Sequence, residues 1–393
     1  MQDYFEFSNN VKIFAGEKSL EKLPTTLMNY GGYRIFIVSD NVIKKFGHVD
    51  AVTKAIKARE EMTIGGTYLD IPSMFTTTDL DKLYVAYRKS GADAIIGIGG
   101  TRVMNAAKAL ALLVSTKSKS ITKFRGIDAA IRTMHVPFCL IPTTFGAGNE
   151  VSKNAIVLDD EKQIPIEVIS GALQPHFAIL DPSLLKTLPE REIYMSLIDL
   201  MAYSIDSYLS KRANVLTKSF SKMAMFLIKD NFQKAVMDND IDAICSLQIA
   251  ASIAAISYSN TFTGVAHSIA TALAAKYHIH RGEAICVVIE NVLEDLKDTC
   301  KPQYAEMLLY LRGSQDYANA TEEERSEAFI RIITNLVKHL SKEYDIKTNL
   351  ADYGVKEEDL DSIAEMTIND GDMLTAPKKY TKEDIIEILR QSL

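Results

Sequence analysis

Apolar residues follow two rhythms along this chain, and the switch between them divides it. Before about residue 182, short β-branched or aromatic runs alternate with stretches of helical period. Residues 11–16 (VKIFAG) and 33–40 (YRIFIVSD) read as strands, because such side chains suit a pleated, partly buried surface. Helical spacing of apolar positions follows each, over 19–30 and 41–60. Further strands are expected at 67–70, from Ala94 into a glycine cluster, over 135–141 and over 177–180, with a helix at 78–90 capped by Thr78. Strands alternating with helices predict a mostly parallel sheet covered on both faces. From residue 187 the strand signal almost stops. Thr187 and Glu190, with Pro189 in the first turn, have the spacing of a capping box that opens a helix. Thr381 and Asp384 repeat it before the last apolar stretch. The expected organisation is an α/β domain over 1–185 and an all-α domain over 186–393.

Composition changes this picture little. A chain of 393 residues exceeds one ordinary core and suits two domains. Its 47% hydrophobic and 24% charged residues are the proportions of a soluble globular protein. With 44 basic against 51 acidic residues and no dense Lys/Arg block, no nucleic-acid partner is expected. Cys139, Cys245, Cys286 and Cys300 are scattered without a CxxC pair, which suggests reduced thiols and a cytoplasmic location. The opening MQDYFEFSNN lacks the basic-then-apolar order of a signal peptide. The longest apolar stretch, 249–275, is interrupted by Ser252, Ser257, Asn260, Thr263 and His267, so a buried helix pair is expected and no membrane span.

The chemistry concentrates around residues 94–111, AIIGIGGTRVMNAAKALA. An apolar strand meets Gly97, Gly99 and Gly100, and a helix starts at once with Val103, Ala106, Ala107 and Leu110 on one face. Strand, glycine turn and helix in this order aim backbone N–H groups and the helix dipole at one anionic group. A turn of a parallel sheet that binds nothing carries the same local signature. Ligands of such sheets lie beyond the carboxyl ends of the strands, and Asp40, the glycines and Thr143-Thr144 all fall at such ends.

In order and spacing, five segments resemble the iron-containing (group III) alcohol dehydrogenase family. They are GIGGTRVMNAAKALA, IPTTFGAGNEV (141–151), FAILDPSLLKTLP (177–189), SLIDLMAYSIDSYLS (196–210) and GVAHSIATALAAKYHIHRGEA (264–284). The resemblance implies a dehydroquinate synthase-like architecture: a dinucleotide-binding α/β domain, a helical domain, a cleft between them and a homodimer. It places Gly97, Gly99 and Gly100 at the pyrophosphate and Thr143 and Thr144 on the nicotinamide side. Thr101, Arg102 and Asn105 stand where the family has glycine, serine and aspartate. Asp40 matches the acid that meets the adenosine ribose, which favours NAD over NADP.

The family's divalent ion, zinc or iron, is held by an aspartate, a histidine four residues on, and two more histidines. Asp199 and His267 match two of these. Tyr203 and Arg281 occupy the other two places, with His280 one residue away as a substitute. Pro165 replaces the family's upstream lysine, Lys162 being the nearest amine. A protonated phenol is a poor ligand and a guanidinium is none, so a bound metal is disfavoured. Arg281 is expected to take the ion's place, stabilising an oxyanion or holding an anionic group, while Tyr203 or His267 passes the proton. Asp199 can also simply pair with Arg281. The expected protein is an NAD(P)(H)-dependent oxidoreductase for a small anionic alcohol or aldehyde. The alternative is a non-catalytic or redirected nucleotide-binding protein of the same fold.

Overall fold

The computed structural model describes residues 4–129 and 135–393. The chain forms two compact units. The first joins residues 8–188 to 239–252; the second joins the segment ending at Phe7 to 189–238 and 253–393.

The first unit is built on a parallel sheet of β1 (Lys12–Ala15), β2 (Arg34–Val38), β3 (Thr63–Tyr68), β4 (Ala94–Gly99), β6 (Phe138–Pro142) and β9 (Phe177–Leu180), in the order β1-β9-β6-β4-β2-β3. Alternation along β2 sends Ile35 and Ile37 to one face and Phe36 and Val38 to the other. The first face is covered by α1 (Leu23–Asn29) and α3 (His48–Lys57), through Leu23, Leu27, Val49, Val52 and Ile56. The second is covered by α4 (Thr77–Ser90) and α5 (Thr101–Thr116), through Leu80, Leu83, Ala107 and Leu110. The chain therefore leaves β2 on one side of the sheet and β4 on the other. That reversal opens a crevice at the carboxyl ends of β2 and β4, where doubly wound sheets bind ligands.

Several local expectations are corrected. The stretch 41–60 makes two helices, α2 (Asn41–Lys45) and α3, because Gly47 between them turns left-handed at φ 81°. Thr76, not Thr78, caps α4, since Asp79 three residues on completes its capping box. No capping box forms at 187–190: Thr187 shares a 2.8 Å hydrogen bond with His48 instead. A second sheet of β5 (Gly126–Ile127), β7 (Asn154–Asp159) and β8 (Ile164–Ile169) was not foreseen. Pro165 inside β8 masks the strand signal there.

The second unit is helical: α6 (Glu190–Leu209), α7 (Val215–Met237), the end of α8 (Ile241–Thr261), α9 (Val265–Tyr277), α10 (Arg281–Asp295), α11 (Lys297–Arg312), α12 (Ser314–Asn319), α13 (Glu322–Glu343), α14 (Leu360–Ile368) and α15 (Lys382–Gln391). A single cut at 185 misses two excursions. Phe7 stacks on Phe220 at 5.6 Å. In the first unit, Gln248 on α8 bonds the Pro142 carbonyl and Ser252 bonds Glu150. By length and composition α8 could cross a membrane, yet 67% of its most apolar window is buried in the fold.

Candidate active site

One cluster lies in the α/β unit, at the β2/β4 crevice. Gly97 has no room for a side chain: a Cβ there would stand 2.6 Å from Leu140 and 2.7 Å from Ala107, so this glycine lets α5 pack on the sheet. Gly100 differs. Its nearest neighbour would be Thr144 Oγ1 at 3.5 Å, so no packed atom claims the space. Gly100 is also the N-cap of α5 and offers no side chain to the helix's first N–H groups. Beside it the Thr143 N–H donates to Gly99 O at 3.1 Å, while the Thr143 hydroxyl is buried without a partner. Arg102, in the first turn of α5, likewise keeps a buried Nε–H unpaired. Open space at a helix N-terminus next to orphaned donors fits a phosphate-bearing ligand.

Asp40 caps α2 by accepting the Ile43 N–H at Oδ1 (2.9 Å), and its Oδ2 accepts from Arg102 Nη2 (3.1 Å). Asn105 has a local partner: its Oδ1 accepts from Asn149 Nδ2 at 2.9 Å, and the same amide reaches Thr101 O at 3.3 Å. The 149–154 segment is thereby tied to α5, and Lys108 completes the tie. Its buried Nζ donates to Ser152 O, Ser152 Oγ and Asn154 O at 2.8–3.0 Å. Burial pulls its pKa down to about 7 against the opposing charge of Glu150.

A second cluster lies in the helical unit. Asp199, Tyr203 and Asp206 follow one another on one face of α6 at i, i+4, i+7 spacing. Arg281, the first residue of α10, forks onto Asp199: Nε donates to Oδ1 at 3.1 Å and Nη2 to Oδ2 at 2.6 Å. Asp206 accepts from His267 Nδ1 at 2.7 Å and from the Gly264 N–H at 3.0 Å. A Cβ at Gly264 would stand 2.8 Å from that carboxylate, so only glycine lets α9 start there. His267 Nε2 lies 3.5 Å from Asp199 Oδ1. Tyr203 stacks between His267 (3.8 Å) and Tyr258 (4.4 Å), and Arg281 sits over its ring at 5.3 Å.

Charges thus alternate along Asp206, His267, Asp199 and Arg281. Burial disfavours ionised Asp199, but the Arg281 guanidinium and His267 outweigh it and hold the carboxyl well below its usual range. Burial lowers the His267 pKa, yet its hydrogen bonds to Asp199 and Asp206 and their charges raise it overall, which favours the protonated ring. Burial drives the Tyr203 phenol far above its usual value and keeps it protonated.

This donor set does not fit a divalent ion. Both Asp199 oxygens are held by a fixed cation, the neighbouring phenol keeps its proton, and His267, with Nδ1 on Asp206, has only its buried, unpartnered Nε2 to offer, which is one donor where an ion needs several. His280 is turned to other work, its Nδ1 accepting the Gly282 N–H and its Nε2 standing 4.0 Å from Glu192. Among the described residues no group of three or more His, Cys, Asp or Glu is arranged to hold a metal. Pro165 lies within β8, and Lys162 lies in the exposed turn before it.

Lys108, Asn149, Glu150, Ser152 and Asp206 were not singled out from the sequence. Only Asp206 left a signal, seven residues after Asp199 on the same helical face.

The first unit is a doubly wound parallel sheet with a glycine turn at its crevice, the arrangement of nucleotide-binding proteins, and the second unit is helical. Residues 10–182 match the model of the iron-containing alcohol dehydrogenase family and residues 193–393 that of the family's C-terminal region, so the chain belongs to this family of enzymes. The NAD-dependent methanol dehydrogenase of Bacillus methanolicus is 25% identical over 380 residues, covering 96% of this chain and 97% of that protein. The sulfoacetaldehyde reductase of Bilophila wadsworthia is 27% identical over 392 residues, with 96% of each chain covered. In structure, a 1,3-propanediol oxidoreductase superposes with a TM-score of 0.91 over 99% of this chain and 100% of its own, at 22% identity, which shows a shared fold.

Proposed function

We propose that this protein interconverts a small aldehyde and its alcohol by hydride exchange with a nicotinamide adenine dinucleotide, and that its substrate carries an anionic group. The observation that carries this reading is Arg281, fixed by two hydrogen bonds on Asp199 where the family's pattern has a metal ligand. Thr143, Gly100 and the N-terminal turn of α5 would hold the dinucleotide's phosphate and ribose portion. The dinucleotide supplies or accepts the hydride. The chain's own residues must then bind the substrate, stabilise developing negative charge on its oxygen and move one proton.

Arg281 does the first two. Its Nε and one Nη2 proton face Asp199, while the side chain stays 23% exposed, which leaves the Nη1 edge for a carboxylate, sulfonate or oxyanion. A cation in a low-dielectric site favours the alkoxide over the neutral carbonyl, the condition for accelerating reduction. Tyr203 supplies the proton. Burial keeps the phenol protonated, so its proton is available to the alkoxide that hydride transfer creates. His267, clamped by Asp206, stacks on the phenol ring and fixes its place. A homodimer in the cytoplasm is part of the same proposal, supported by the family resemblance and by four free cysteines.

The test is the reduction of short aldehydes with and without a carboxylate or sulfonate, by the wild type and by Arg281→Met. The variant should lose about 10²–10³ in kcat/KM on the anionic aldehydes, the scale of losing one transition-state donor. Its dinucleotide affinity, read by calorimetry, should not change. Equal rates in the two proteins would remove Arg281 from the chemistry. Dinucleotide binding without turnover of any aldehyde would favour the non-catalytic alternative, which the full engagement of Asp199 also suits.

A further inference from the structure

The carboxylate that ought to read the adenosine ribose is not the group that faces outward at its strand end. Asp40 has one oxygen on the Ile43 N–H and the other on Arg102 Nη2, and its side chain is only 10% exposed. The Arg102 side chain is 38% exposed. An open carboxylate at this place selects NAD in two ways: it accepts from the ribose hydroxyls and it repels a 2′-phosphate. Here the negative charge lies behind a guanidinium and is neutralised by it. Arg102 keeps a buried Nε–H with no partner, so its donor fork is only partly used. Next to it α2 carries Lys44 and Lys45, both exposed and without an ion-pair partner among the described residues.

We infer that Arg102 is the coenzyme-specificity residue and that it accepts a 2′-phosphate, so the chain binds NADP(H) at least as tightly as NAD(H). This rests on the dinucleotide reading above and deepens it. The physical reason is geometric as well as electrostatic. A guanidinium pairs with phosphate oxygens through two parallel N–H donors, and Asp40 holds this one in place from behind, as a second carboxylate holds a functional arginine elsewhere. The aspartate is thereby a positioning residue for the cation. The family resemblance alone assigns it the opposite effect, a preference for NAD over NADP.

Calorimetric titration of the full chain with AMP and with adenosine 2′,5′-bisphosphate tests this, since the two probes differ only at the 2′ position and neither can react. The bisphosphate should bind at least tenfold more tightly at low ionic strength, and the preference should shrink as salt screens it. Arg102→Ser should abolish the preference, weakening the bisphosphate at least tenfold more than AMP, and Arg102→Lys should retain part of it. Asp40→Asn, which keeps the cap of α2 but removes the acceptor that holds Arg102, should reduce the preference. If AMP binds and the bisphosphate binds no better, the inference fails while the dinucleotide reading stands. If Arg102→Ser weakens both probes equally, Arg102 is a general phosphate contact and the inference fails. If neither probe nor NADPH nor NADH binds, both readings fall together.

Discussion

Asp199 shows how one side chain can change meaning without changing identity. A carboxylate in this place is open to a divalent ion only if its neighbours are neutral ligands. With Arg281 forked onto it and His267 at 3.5 Å, it becomes the counter-ion of a fixed guanidinium and the neighbour of an imidazole. The linkage has a definite sign. The folded-state pKa of Asp199 is depressed, so its contribution to stability is complete above the unfolded carboxylate value of about 4. It is lost as pH falls through the lower folded value. Urea unfolding between pH 6 and pH 3 should therefore show wild type losing stability more steeply than Asp199→Asn, and parallel curves would contradict the assignment. At pH 7 the same variant should be less stable by about 3 kcal/mol, because a buried guanidinium loses its partner. The residues of this cluster were legible in the sequence as types out of place. Which of them touch was not, since Arg281 and Asp199 are 82 positions apart.

Among the elements, α5 carries the most. Its apolar face builds the core against β4, its N-terminus faces the crevice, and Lys108 anchors the 149–154 segment from inside. In the sequence this lysine sits in NAAKALALL and reads as a helix residue that could extend to solvent. Only the fold brings three acceptors from 44–46 residues away around its ammonium. Lys108→Met keeps the length of the side chain and removes the charge and its donors. It should cost about 3 kcal/mol in urea unfolding, from acceptors left without partners. It should also weaken dinucleotide binding, because Thr143 and Thr144 lead into the segment it anchors. A stable variant with unchanged binding would make Lys108 an incidental core residue. The strand–turn–helix itself was readable from composition and spacing. The hairpin of β7 and β8 was not, because short half-buried strands with a proline leave little periodic signal.

At the scale of the whole molecule, the family assignment and the substituted cation make one joint prediction. A ligand that binds only the native state stabilises it by about 2.7 kcal/mol at a hundred times its Kd. NADPH and NADH should each raise the melting temperature by several degrees, whereas zinc or ferrous ion should give no comparable shift at equal saturation of the relatives' sites. A metal-dependent rise abolished by His267→Ala would overturn the reading of the helical unit.

The alternation of the main sheet's strands with helices, the glycine turn and the departures from the family's ligand pattern were legible in local sequence, because periodicity, turn chemistry and residue type are properties of neighbours. The chain's two returns, at Phe7 and at 239–252, were decided by tertiary packing alone. So were the exposure of Arg102 in front of Asp40, the fork of Arg281 on Asp199 and the enclosure of Lys108. Each depends on groups that sequence places tens of residues apart. Their charges and donors acquire a function only when folding removes the water between them.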